Sequence, residues 1–253
     1  MRINHNLMAM NTHRQLGINN TRGSKAMEKL SSGLRVNRAA DDAAGLSISE
    51  KMRGQIRGLT QAARNTQDGI SFIQTAEGAL NEVSAMLVRM KELAVQYANG
   101  TLSETDQANI EAELDQLAEE IGTITSESTF NGISLFSTIE IVISDDDTKT
   151  FEIGIENIEI DLDENTTEEI EAAIDEVNTA RANLGAQQNR LEHIYNNINT
   201  TTENLQAAEA RIRDTDMAQE MMEFTKNNIL QQAAQAMLAQ ANQVPQGVLQ
   251  LLR

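Results

Sequence analysis

The chain has 253 residues and a net charge of −18, with no Cys, no Trp, a single Pro at 245 and only five Phe and two Tyr. So few rings cannot fill the core of a compact globule of this length, so the apolar content is aliphatic. Such a composition excludes a disulfide scaffold and an all-β fold and fits long helices packed side by side; with no run of 18 apolar residues, it also excludes a membrane span.

The charge is unevenly placed. Residues 1–64 carry +7, residues 65–100 carry −2, residues 101–176 carry −22 and residues 177–253 carry −1. The basic residues of the first segment are spread singly, as Arg14, Arg22, Lys25, Lys29, Arg35 and Arg38, with no aromatic side chains among them. That pattern predicts a solvated or subunit-contacting face and no nucleic-acid partner. The acidic middle predicts an outward, soluble surface. Met1-Arg2-Ile3-Asn4-His5-Asn6 is polar at once, so any export is expected to proceed without a cleaved leader.

In chain order, residues 3–34 place Ile3, Leu7, Met10, Met27, Leu30 and Leu34 on a narrow amphipathic stripe. A second helical stretch carries Leu59, Ala62, Thr66, Gly69, Ile73, Ala76, Leu80, Val83, Leu87, Met90 and Ala94 at alternating spacings of three and four. Its seam is rich in small residues, which permit close approach of a neighbour. Asn99-Gly100 predicts a turn. Ser103 and Asp106 stand at the spacing of a capping box, and Ile110, Leu114, Leu117, Ile121 and Ile124 continue a third helix.

Residues 139–162 change period from helical to alternating. Ile139, Ile141 and Ile143, then Phe151, Ile153 and Ile155, then Ile158, Ile160 and Leu162 read as a small β-hairpin with a third strand. Asp145-Asp146-Asp147 forms its turn. Beyond it, Ile170, Val177, Leu184, Leu191, Ile198, Leu205 and Ile212 recur every seven residues. A strict heptad predicts a coiled-coil seam about 65 Å long. The last segment, 217–251, places Met217, Met221, Phe224, Ile229, Ala233, Ala236 and Val244 on a second narrow stripe. Neither terminal stretch can bury its stripe alone, so both are expected to need partners.

Catalytic and metal chemistry find little support. His5, His13 and His193 show no zinc spacing. Asp145-Asp146-Asp147 lacks the glycine and terminal Glu of a calcium loop, and Asp161, Asp163 and Asn165 lack the central Gly. No phosphate-binding glycine loop and no set of nucleophile, base and orienting residue is present. The reading is a protein that is not an enzyme and holds no cofactor or metal.

The termini carry specific motifs. Met1-Arg-Ile-Asn-His-Asn6, Lys29-Leu-Ser-Ser-Gly-Leu-Arg-Val-Asn37, Ala40-Asp-Asp-Ala-Ala-Gly-Leu46 and Gly58-Leu-Thr-Gln-Ala-Ala-Arg-Asn65 resemble bacterial flagellin. So do Thr75-Ala-Glu-Gly-Ala-Leu80, Phe130-Asn-Gly132, Leu184-Gly-Ala-Gln-Gln-Asn-Arg-Leu191 and Ala239-Gln-Ala-Asn-Gln-Val-Pro-Gln-Gly-Val-Leu249. The resemblance covers residues 1–136 and 165–253, with the family's variable outer domains reduced to the hairpin.

The resemblance implies a mainly α fold: an elongated antiparallel coiled-coil rod with a small β-hairpin, its terminal helices pairing in the assembled filament. Residues 1–44 and 215–253 would form the inner-tube domain. Residues 45–214 would form the rod, with helices over 45–98 and 104–127, a hairpin region over 137–164 and a long helix over 168–213. The implied function is a structural subunit that polymerises into the flagellar filament, a secreted, extracellular assembly. Export would be unfolded, by the flagellar type III route. Implied partners are further copies of itself, an export chaperone at the C-terminal segment, and hook-associated and cap proteins.

Candidate polymerisation residues are Ile3, Leu7, Leu30, Leu34, Met217, Met221, Phe224, Ile229, Val244 and Leu249. Leu87-Val-Arg-Met-Lys-Glu-Leu-Ala-Val-Gln96 is similar to the segment that some flagellins present to Toll-like receptor 5. The matching positions are Arg89, Glu92 and Leu93, with Ile110, Glu113 and Gln116 on the next helix; Val88 and Lys91 depart from that pattern. Two alternatives remain: a hook–filament junction or hook-associated protein, which would share helical ends but would not carry both terminal signatures so fully, and a soluble coiled-coil adaptor, which would form a discrete dimer or trimer.

Overall fold

A computed structural model describes residues 6–146, 148–155 and 167–251, with side chains as far as Gln243. The elements run in the order α1 (Leu7–Ser32), α2 (Ala43–Tyr97), α3 (Glu104–Glu127), β1 (Thr129–Phe130), β2 (Ile133–Ser134), β3 (Ile139–Val142), β4 (Thr150–Ile153), α4 (Thr167–Arg213) and α5 (Met217–Leu251). The fold is mainly α, as the aliphatic composition predicts. Two compact units are distinguished: residues 54–204, and residues 1–53 together with 205–253.

Local chemistry accounts for the helix ends. Asn6 Oδ1 accepts from Ala9 N at 3.1 Å and caps α1. Gly33 ends it in the left-handed conformation, φ 72°, with its N–H on Lys29 O at 2.8 Å. This is the local reason for glycine in Leu-Ser-Ser-Gly-Leu-Arg. Asp42 Oδ1 accepts from Gly45 N at 2.8 Å at the start of α2. Ser103 and Asp106 form the reciprocal box that their spacing predicts, at the start of α3. Asp216 Oδ1 accepts from Ala218 N at 2.9 Å and Gln219 N at 3.1 Å to start α5.

The core of unit 54–204 is one apolar cluster drawn from α2, α3, α4 and both hairpins. All eleven seam positions of α2, from Leu59 to Ala94, are buried. On α4 the heptad residues Ile170, Val177, Leu184, Leu191 and Ile198 are buried, while Leu205 and Ile212 are half-buried. Ile110, Leu114 and Ile121 supply the α3 face.

The β region packs against that seam. Strands β3 and β4 pair antiparallel, setting Ile139 opposite Ile153 and Ile141 opposite Phe151 on one face. Asn65 Nδ2 of α2 donates to Val142 O at 3.2 Å, and Gln187 Nε2 of α4 donates to Gly154 O at 3.2 Å. Arg190 stacks over the Phe151 ring, 4.8 Å from its centroid. Strands β1 and β2 form a separate two-residue hairpin whose turn is Asn131-Gly132, at φ 53° and 81°. Two successive positive φ values are those of a type I′ turn. Phe130 on this hairpin meets Phe72 of α2 edge-on, with centroids 5.9 Å apart. The third strand expected at Ile158, Ile160 and Leu162 lies outside the described residues.

Candidate assembly surface

In the other unit, α1 and α5 lie against each other. Asn6 Nδ2 donates to Ala241 O at 2.7 Å near one end of the pair. Gly23 faces Asn227 further along, and Lys29 Nζ stands 3.6 Å from Glu220 Oε2. Residue numbers rise along α1 as they fall along α5, so the pair is antiparallel. Their loop ends are stitched by backbone: Arg35 N donates to Arg213 O at 2.6 Å, and Thr215 N donates to Gly33 O at 3.0 Å. Arg35 adds its guanidinium to Ile212 O at 2.7 Å. Arg213 then reaches Glu50 of α2 at 2.6 Å. The Arg213 hydrogen bond, with the charges of Arg53 and Arg213, holds the Glu50 carboxyl below its ordinary range despite an opposing desolvation effect.

Small or polar residues, not large apolar ones, line this helix pair: Ala26, Ala241 and Asn227 are buried in it. The large apolar side chains point elsewhere. Leu7 is 66% exposed, Met221 50% and Ile229 61%, and Met217 is exposed too. Leu30, Leu34 and Phe224 are half-buried. Ile3 lies outside the described residues, as do the side chains of Val244 and Leu249. Twelve of the sixteen large apolar side chains that stand exposed among the described residues belong to this unit, although unit 54–204 is the longer. Large apolar surface is thus concentrated on α1, α5 and their surroundings.

The second candidate surface lies within unit 54–204. Arg89 of α2 donates from Nη2 to Glu113 Oε1 of α3 at 2.9 Å, and from Nη1 to Glu92 Oε2 at 3.2 Å. All three are exposed, as is Gln116. The hydrogen bond to Glu113, then that to Glu92, raises the Arg89 pKa further, so its charge is permanent. Leu93 and Ile110 are not on this surface. At 2% and 7% exposure they belong to the core beneath it, Ile110 on the apolar stripe of α3 that its spacing predicts and Leu93 beside the α2 seam position Ala94.

Among the described residues, no group of three or more His, Asp or Glu side chains is placed to hold a metal ion. No described helix is long and apolar enough to cross a membrane.

Residues 3–140 match the bacterial flagellin N-terminal helical region, and residues 167–252 match the bacterial flagellin C-terminal helical region. The chain belongs to the bacterial flagellin family. It is 56% identical over 272 residues to a flagellin of Halalkalibacterium halodurans and 49% identical over 304 residues to a flagellin of Bacillus subtilis. It is also 47% identical over 286 residues to the flagellar filament 33 kDa core protein of Treponema phagedenis. Each of these comparisons covers 100% of both chains. Flagellins are structural proteins: the chain is a self-associating subunit of the flagellar filament and not an enzyme. The short length agrees with a flagellin that lacks variable outer domains.

Proposed function

We propose that this flagellin polymerises through the outward faces of α1 and α5, with residues 1–44 and 215–253 as the inner-tube domain and residues 45–214 as the rod. The observation that carries the reading is the concentration of exposed apolar side chains on a helix pair whose own contact is made by Ala, Gly and Asn. Contact between different faces of identical copies generates an open helical filament instead of a closed ring. Leu7, Met217, Met221 and Ile229 would be covered by neighbouring copies, joined by Ile3, Leu30, Leu34, Phe224, Val244 and Leu249. The polymer would be extracellular, built from subunits exported unfolded by the flagellar type III route. A chaperone would hold the C-terminal segment before export, and hook-associated and cap proteins would meet the filament at its ends.

Deletion of residues 215–253 tests this reading. The truncated protein should remain helical and should fail to elongate filament seeds. Filaments of the truncated protein under the electron microscope would overturn it.

A second reading concerns the Arg89 surface. Arg89, Glu92, Glu113 and Gln116 form an exposed polar patch on two adjacent helices, which supports recognition by Toll-like receptor 5. Leu93 and Ile110 would serve it from beneath, by fixing the spacing of α2 and α3. Receptor-dependent signalling by an Arg89→Ala variant tests it, with undiminished signalling as the refuting result.

A further inference from the structure

The sulfur chemistry of the chain is confined to eleven methionines, since there is no Cys, and no Trp competes for oxidants. Their placement is uneven. Met8, Met10 and Met27 on α1, and Met217, Met221, Met222 and Met237 on α5, are between 47% and 68% exposed. The two methionines of unit 54–204 are sheltered: Met90 is fully buried and Met86 half-buried. Exposure governs how fast a thioether meets a dissolved oxidant. The oxidisable sites therefore coincide with the apolar faces of the terminal helix pair.

We propose that these seven methionines form an oxidant-sensitive site that switches off assembly of the free subunit, with peroxides as the oxidant class. The inference rests on the reading that the faces of α1 and α5 are covered by neighbouring copies. In the step itself a Met Sδ lone pair attacks one oxygen of hydrogen peroxide. The O–O bond breaks, an S–O bond forms, and the departing hydroxide takes the remaining proton to leave as water. Each thioether is oxidised by two electrons, and each peroxide is reduced to water. The product is a sulfoxide, a polar hydrogen-bond acceptor on what was a flexible apolar side chain. Burying it against an apolar neighbour strips its water without replacing the hydrogen bond, which opposes the contact. Once a filament has formed, the same sulfur atoms lie under neighbouring copies and react slowly. The site therefore discriminates between unassembled subunits and finished polymer.

The experiment treats the full-length subunit with hydrogen peroxide, maps sulfoxides by peptide mass, and measures elongation of filament seeds. The untreated subunit must elongate seeds; its failure would sink the terminal-helix reading and not the oxidation step. After peroxide, the seven exposed sites should carry sulfoxide while Met90 does not. The concentration needed for elongation should rise at least about tenfold, a difference readily separated from experimental scatter. Treatment with methionine sulfoxide reductases of both epimer classes should restore elongation. A Met86→Leu variant, altered in unit 54–204 and checked for native helicity, should elongate untreated and lose elongation to peroxide as the parent does. Peroxide-treated filaments should show the seven sites largely unmodified. The proposal is overturned if a subunit oxidised at all seven sites elongates like the untreated one. It is overturned equally if removing the sulfoxides restores nothing, or if the filament's methionines oxidise as fast as the subunit's.

Discussion

Asn6 and Ala241 are 235 positions apart, and the Asn6 amide nitrogen donates to the Ala241 carbonyl at 2.7 Å. In an uninterrupted helix that carbonyl would accept from the N–H four residues on. Residue 245 is the only proline in the chain and has no N–H to give. Asn6 therefore does two tasks with one side chain. Its oxygen caps α1, and its nitrogen replaces the donor that Pro245 removes from α5.

This arrangement makes a double-mutant prediction. Asn6→Asp keeps the capping oxygen but loses the donor and sets a carboxylate against a carbonyl. It should lower the stability of the assembled protein by about 1 kcal/mol, the net worth of one hydrogen bond. Pro245→Ala restores the helical N–H, so Asn6→Asp in that background should cost measurably less. The check is the heat-induced dissociation of filaments of the four proteins. Additive effects would show that Asn6 does not answer the proline.

Glycines of α2 supply a second test, because two of them four residues apart face different surroundings. A Cβ added at Gly54 would meet nothing within 4 Å, whereas one at Gly58 would lie 2.8 Å from the Asp145 backbone. Gly54→Ala should stabilise the subunit by up to about 1 kcal/mol through helix propensity. Gly58→Ala gains the same propensity but must push the β3–β4 turn away, at an overpacking cost of roughly 1–3 kcal/mol. Chemical unfolding should place Gly58→Ala at or below the parent and clearly below Gly54→Ala. Equal stabilisation by both substitutions would contradict this account of the turn's position.

Legibility followed the range of the interaction. The seam of α2 and the heptad of α4 are local periodic signals, and the structure buries them as read, from Leu59 to Ala94 and from Ile170 to Ile198. The capping box at Ser103 and Asp106 is likewise local. Asn131-Gly132 also carries a local hairpin signal, but two-residue strands are too short to show an alternating period, so a signature motif conceals a turn. Gly69 illustrates an intermediate case. Its smallness indicates close approach, yet the group that approaches is the hairpin: a Cβ there would overlap Ile141 Cδ1 and lie 3.1 Å from Ile153 Cδ1. The bond from Asn6 to Ala241 was not legible, because its partners lie at opposite ends of the chain. Burial of Leu93, off the α2 seam, likewise depends on how three helices converge, whereas Ile110 already stands on the apolar stripe of α3.

Acid should weaken both units through two identifiable carboxylates. The Ser103 hydroxyl, then its backbone N–H, holds the Asp106 carboxyl below its ordinary range, and Arg213 chiefly does the same for Glu50. For a carboxyl whose folded pKa is depressed, the unfolded chain binds the proton more readily. Its stabilisation is therefore complete above the unfolded value of about 4 and is lost as pH falls through the lower folded value. Unfolding of the free subunit by urea should show a fall in midpoint below pH 4. The fall should be shallower in Asp106→Asn for the unit containing α3, and shallower in Glu50→Gln for the unit containing α1. Parallel pH profiles in the parent and both variants would remove these groups as its cause.

Arg89 offers the cleanest separation of recognition from folding. Its guanidinium is shared between Glu113 at 2.9 Å and Glu92 at 3.2 Å, and its side chain is half exposed. Solvated ion pairs of this kind contribute little to stability, since water and salt screen them and two long side chains must be immobilised. Such a residue is available to a partner without loss to the fold. Arg89→Ala should therefore leave the unfolding midpoint of the subunit unchanged while lowering Toll-like receptor 5 signalling by roughly tenfold or more, as a central interface arginine does. Leu93→Ala is the contrasting variant. It empties a buried site, so it should lower the unfolding midpoint by an amount corresponding to about 2–5 kcal/mol. Any signalling loss from it should follow the unfolded fraction. A fall in signalling for Arg89→Ala that tracked a loss of stability would assign the residue to the fold, and the receptor patch would lose its centre.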